Sequence, residues 1–70
     1  IPKVVSYKGK TWYLSINWGE YCNEWVISYK RYFEYSEPEK GLAMYGTNFP
    51  KLVKDFNQKL KDREVKVITP

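Results

Sequence analysis

The side chains in this sequence that could do covalent chemistry are few, and their placement argues against it. There is no histidine and a single cysteine, Cys22, so neither a Ser-His-Asp nor a Cys-His pair can be assembled. Cys22 lies in the run Glu20-Tyr21-Cys22-Asn23-Glu24, where carboxylates on both sides disfavour the thiolate that a nucleophile needs. It is expected to be an inert hairpin thiol. Glu37 and Glu39 flank Pro38 and read as solvated turn carboxylates. The glycines, at 9, 19, 41 and 46, are scattered and make no phosphate loop. A zinc site takes four thiolate, imidazole or carboxylate ligands, a set this composition does not favour. No metal and no cofactor is implied, and the expectation is a protein that binds rather than catalyses.

The chemistry that remains is stacking and charge. Residues 25–35, WVISYKRYFEY, place aromatic rings around the pair Lys30-Arg31. Across the chain there are three Trp, seven Tyr and three Phe, 19% of the residues. Each such ring can bury ~150–250 Å². The 12 Lys and Arg against 8 Asp and Glu give a formal net charge of +4, a moderate bias towards anionic partners.

These residues need a scaffold, and 70 residues make one domain, 1–70. So short a chain buries only about 60% of the surface its unfolded form exposes. With one cysteine an internal disulfide is impossible, which leaves oligomerisation as the open route to added stability. The lone thiol fits a reducing interior, cytoplasmic or nuclear. No apolar stretch approaches the ~18 residues of a membrane span, and no signal-peptide pattern is present. The sequence opens on Ile1 rather than methionine, which leaves room for residues upstream.

Four segments have the two-residue period of strands. Residues 3–8 are short and β-rich, and Gly9 in Tyr7-Lys8-Gly9-Lys10 marks a turn. Residues 11–18 alternate, with Trp12, Leu14, Ile16 and Trp18 facing one way and Thr11, Tyr13, Ser15 and Asn17 the other. Gly19 and Asn23 then signal a hairpin into a third strand over 24–35, followed by a turn at 36–41 and a short strand over 42–45. The period next switches to a helical stripe of Phe49, Leu52, Val53, Phe56 and Leu60. Thr47 or Asn48 is its expected cap, and Pro50 is tolerated in the first turn. Lys51, Asp55 and Lys59 lie at i, i+4 spacing on the opposite face. Residues 65–68, Val-Lys-Val-Ile, fit an edge strand or an extended tail. The expected fold is α+β, a four- or five-stranded antiparallel sheet packed against one helix: β-β-β-β-α, with or without a terminal β. One face of the sheet is left for solvent or a partner.

Parity sorts the rings. Trp12, Trp18, Phe49 and Phe56 lie on apolar stripes and should be core, as should Trp25 and Phe33, which share parity with Ile27. Tyr13, Lys30, Tyr32 and Tyr45 lie off the stripes, with Lys8 and Lys10 just before the second strand. They should meet on the uncovered face. Rings flanked by lysines on an open sheet suit single-stranded nucleic acid, where stacking is worth ~1–3 kcal/mol per base. The same face would also suit a dimer interface or plain cross-strand pairing. Arg31 breaks the apolar parity of its strand and marks either the edge of the core or a slip in register.

The segment VISYKRYFEY…EPEKGLAMYGTNFPKLVKDFNQKL resembles the C-terminal single-stranded-DNA-binding domain of the transcriptional positive cofactor family, with its Whirly-like relatives. The features that carry it are Lys30-Arg31-Tyr32-Phe33 in the third strand and Lys40-Gly41 before an apolar alternation. Phe49 and Leu52 near a helix start, and the Lys8-Gly9 turn, add to it. The match spans roughly residues 7–60. It departs from the family in Glu37 and Glu39, where more basic character is usual, and in the Val-Lys-Val-Ile tail. The resemblance implies β-β-β-β-α, a role in transcription regulation, and a homodimer assembled through the helices that holds single strands on β-ribbons.

The reading is therefore single-stranded nucleic-acid binding, DNA favoured, by a homodimer. Lys8, Lys10, Lys30, Arg31 and Lys40 would contact phosphates, and Tyr13, Tyr32 and Tyr45 would stack on bases. The alternative is a small protein-binding module or inhibitor of viral or mobile-element type, docking a protein through the same face or through an edge strand at 64–68.

Overall fold

The computed structural model describes residues 1–32 and 36–70. Its elements are β1 (Val4–Tyr7), β2 (Lys10–Gly19), β3 (Glu24–Lys30), β4 (Pro38–Gly46), α1 (Phe49–Asp62) and β5 (Lys66–Thr69). Among the described residues the five strands form one sheet in the order β4-β3-β2-β1-β5, with every neighbouring pair antiparallel. The fold is α+β, and residues 66–69 are an edge strand. The helix is the connection between the two edges, so it crosses one face of the sheet on the way.

Local chemistry explains the turns. Lys8 and Gly9 both have positive φ, 52° and 73°, between the paired Tyr7 and Lys10. That is the two-residue hairpin whose twist matches its strands. The β2–β3 loop closes with Asn23 in the left-handed region at φ 54°, its N–H donating to the Gly19 carbonyl at 2.8 Å. In α1 the Asn48 side chain accepts from the Lys51 N–H at 3.2 Å, so Asn48 is the cap. At the far end the Val65 N–H reaches the Leu60 carbonyl and the Glu64 N–H the Lys61 carbonyl. These are the paired bonds of a Schellman ending, with Glu64 where glycine is usual. Lys51 bonds Asp55 at 3.0 Å, as its spacing suggests, whereas Lys59 donates to the Ala43 carbonyl instead.

The core comprises Val5, Trp12, Ile27, Tyr29, Leu42, Leu52, Phe56 and Leu60. The Tyr29 ring stacks on Phe56 with centroids 5.8 Å apart, and its hydroxyl donates to the Pro2 carbonyl. Burial pushes the Tyr29 phenol up to about 12, because an anion there would lose its water. The Trp12 Nε1–H is satisfied by the Tyr7 carbonyl at 3.0 Å.

Three expectations change. The third strand ends at Lys30 rather than running to 35, because Ser36 Oγ accepts from the Tyr32 N–H and donates to the Tyr32 carbonyl. Such local side-chain bonds compete with a ladder. Phe33, expected in the core, lies outside the described residues. The fourth strand begins at Pro38, inside the expected turn; a proline that opens an edge strand leaves no central ladder bond unmade. Finally, Trp18 is 45% exposed, and Phe49 and Trp25 are only partly buried. Phe49 packs on Trp25 (5.0 Å), and Trp25 meets Trp18 edge-on (5.5 Å). The helix contacts β3 and β4, so the hairpin end of β2 extends beyond its cover. Among the described residues no helix is long and apolar enough to cross a membrane.

Candidate nucleic-acid interface

The face away from the helix can be read from the register. Tyr13 pairs with Lys30, Ser15 with Ser28 and Asn17 with Val26. Ser28 in turn pairs with Ala43, and Val26 with Tyr45. Paired residues in an antiparallel ladder share a face, so these side chains make rows across the open side. The middle row, Ser15-Ser28-Ala43, has small side chains and forms a low floor. Lys30 and Tyr13 stand at one end of it, Val26 and Tyr45 at the other. Glu24 shares the parity of Lys30 and pairs with Gly19 at the far hairpin. The face thus runs from a basic end to an acidic one.

At the basic end the chain builds a concavity of about 410 Å³ lined by Gly9, Lys10, Thr11, Tyr13, Arg31 and Tyr32. That is the size of a small-ligand pocket. The β1–β2 turn supplies one wall, β2 supplies Tyr13, and the two residues after β3 supply the other wall. Tyr13 is 43% and Tyr32 68% exposed, enough to offer ring surface to a ligand. Arg31 lies beyond the end of β3, so its break in parity marks the edge of the core. Its guanidinium is 5.8 Å from the Trp12 ring centroid and 5.7 Å from that of Tyr32, within cation–π range. It also makes a long bond, 3.5 Å, to the Thr11 carbonyl. Among the described residues the ion pairs are Lys8–Glu39 and Lys51–Asp55, so Arg31 faces the pocket without a carboxylate partner among them.

The structure brings Lys10, Tyr13, Arg31 and Tyr32 together around this pocket, with Lys30 beside Tyr13 in the ladder. The other three expected residues lie apart. Lys8 turns towards the Tyr7 ring (5.3 Å) and Glu39 (3.9 Å), and Tyr7 shares the helix-side parity of buried Val5. Lys40 is exposed on the edge strand β4. Tyr45 is exposed but belongs to the Val26 row, roughly 13 Å along the strands from the Lys30 row at ~3.3 Å per residue. Gly9 and Thr11 line the pocket without having been anticipated. Their signal was present, since Thr11 shares the parity of Tyr13 and Gly9 shapes the turn that forms the wall.

Two exposed rings and three cations at one end of a polar face can stack on flat, electron-rich groups while neutralising anions. Among the described residues no three His, Cys, Asp or Glu side chains converge as a metal site would need. No family model, curated protein or solved structure matches this chain.

Proposed function

We propose that this chain binds single-stranded nucleic acid, DNA in preference to RNA, at the basic end of its open sheet face, and does so without catalysing a reaction. The observation that carries the reading is the pocket where exposed Tyr13 and Tyr32 meet Lys10 and Arg31. Tyr13 and Tyr32 stack on neighbouring bases. Lys10, Lys30 and Arg31 supply the positive charge, with Lys8 and Lys40 further out along the backbone path. Tyr45 takes a base beyond the floor of Ser15, Ser28 and Ala43. The resemblance to the positive cofactor and Whirly-like domains supports the same reading and adds a homodimer, with a role in transcription.

A specific observation favours a second reading, a protein-docking module. Ile16 and Trp18 are exposed on the helix side, and Val67 and Ile68 are exposed on the edge strand β5. An edge strand can accept a strand from a partner. Titration with an oligothymidine at two salt concentrations, followed by intrinsic fluorescence, separates the two. Nucleic-acid binding should change the signal and weaken with salt, with a log–log slope of about −0.7 per phosphate engaged. An unchanged signal at saturating oligonucleotide and low salt sinks the proposal.

A further inference from the structure

Single-stranded binders that rely on stacking and lysine charge tolerate any sequence, because every base has a π-face and every nucleotide a phosphate. Arg31 differs from the lysines around it. Lys10 is exposed on its strand, a mobile point charge suited to phosphates. Arg31 is half-buried, held near the Trp12 and Tyr32 rings and tethered through one nitrogen, Nη1, to the Thr11 carbonyl. A guanidinium carries five N–H donors in a planar fork, and among the described residues the Thr11 carbonyl engages one of its nitrogens. Arg31 also lines the same pocket as the two tyrosines. A base stacked on either ring would lie in the pocket that Arg31 lines, with its edge in reach of the guanidinium.

Resting on the nucleic-acid reading above, we infer that Arg31 makes this pocket selective for guanine at one nucleotide of an otherwise sequence-tolerant site. Guanine offers two adjacent acceptors, O6 and N7, that match the arginine fork; adenine puts a donor, the N6 amino group, beside its N7. At the same position adenine would leave one arm of the fork against a donor. Arg31 is thus a specificity residue, while Lys10 and Lys30 hold phosphates.

The test uses the intact chain and oligothymidines that carry a single central substitution, which avoids the self-association of guanine runs. The deoxyguanosine oligomer should bind more tightly than the deoxyadenosine oligomer by roughly 5- to 150-fold, the range of one good bidentate contact. Replacing that guanine by 7-deazaguanine, which lacks the N7 acceptor, should remove most of the gain. Arg31→Lys keeps the charge but loses the fork, and should bring the guanine-to-adenine ratio close to one whatever its effect on overall affinity. Lys10→Ala should weaken both oligomers and keep the ratio. A ratio near one in the unaltered chain, with salt-dependent binding of oligothymidine intact, overturns this inference and leaves the parent reading standing. A gain that survives 7-deazaguanine or Arg31→Lys overturns the assigned contact. Failure of every oligomer to bind overturns both readings.

Discussion

Stacking and charge leave different signatures in a salt titration, and the pocket geometry says which residue should show which. Tyr32 is 68% exposed; among the described residues its ring meets the Arg31 guanidinium, and its backbone bonds the Ser36 hydroxyl. Tyr32→Ala should therefore alter binding far more than folding. Loss of one stacked ring is worth ~1–3 kcal/mol, or roughly 5- to 150-fold in affinity at ~1.4 kcal/mol per factor of ten. The deficit should be the same at every salt concentration, because a neutral ring releases no counterions. Lys10→Ala should do the reverse. Removing one phosphate contact makes the log–log slope shallower by about 0.7. Across a fourfold rise in salt, the affinity of the variant should then fall about 2.6-fold less than that of the unaltered chain.

The assay is fluorescence titration of an oligothymidine across a salt series, with Trp12 as a natural reporter. It lies 5.8 Å from the Arg31 guanidinium and is itself buried in the core. Plotted as log affinity against log salt, the Tyr32→Ala line should run parallel to and below that of the unaltered chain, while the Lys10→Ala line should converge on it. The reasoning is refuted if Tyr32→Ala changes the slope as much as Lys10→Ala does. It is equally refuted if Tyr32→Ala leaves affinity untouched at all salts, which would move the stacking surface elsewhere.

Two further outcomes follow from the scaffold. Glu64 ends the helix at φ 54°, where a non-glycine residue costs ~1–2 kcal/mol, partly offset by the ~0.5–1 kcal/mol entropic penalty of glycine. Glu64→Gly should accordingly raise stability by about 0.5–1 kcal/mol and the melting midpoint by several degrees; a lower midpoint in urea or heat would contradict this. Tyr29 keeps its proton to about 12 in the fold but ionises near 10 when unfolded. Its contribution is therefore complete below about pH 10 and is lost as pH rises through about 12. Urea midpoints of the unaltered chain and Tyr29→Phe should draw together over that window, and a constant gap across it would show that the phenol titrates alike in both states.

Much of the fold was legible because local signals agreed with one another. The alternation of Trp12, Leu14 and Ile16 set the face of β2, and the Lys8-Gly9 turn fixed its pairing with β1. The stripe from Phe49 to Leu60 set the helix, with Thr47 or Asn48 as its cap, and Asn48 takes that place. What failed was extent. Apolar parity says which way Trp18 points but not how far the helix reaches, and Trp18 lies on the right face yet past the end of the cover. The same limit applied to the third strand. Its alternation continues past Lys30, but the Tyr32–Ser36 bonds end the ladder, and those depend on how the chain turns rather than on pattern.

The candidate site failed and succeeded for the same reason. Parity placed Tyr13, Lys30 and Tyr45 on one face, and the register confirms that they share it. It could not give their positions along that face. Those depend on the shift in β4, where the partner of β3 jumps from Ala43 to Pro38 between Ser28 and Lys30. Why the face is open at all is a matter of size. Helix α1 has 14 residues, a rod ~21 Å long at 1.5 Å per residue. It must serve a sheet whose five strands span ~20 Å at ~4.8 Å spacing, and whose β2, with 10 residues, runs ~33 Å. One such rod covers part of one face and none of the other. The uncovered face can remain in water only if it is polar, as Ser15, Asn17 and Lys30 make it; Ser28, between them, is itself buried. Tyr13 and Tyr32 keep ring surface exposed at the basic end of that polar surface, and that is why the pocket they line is the place to look for a ligand.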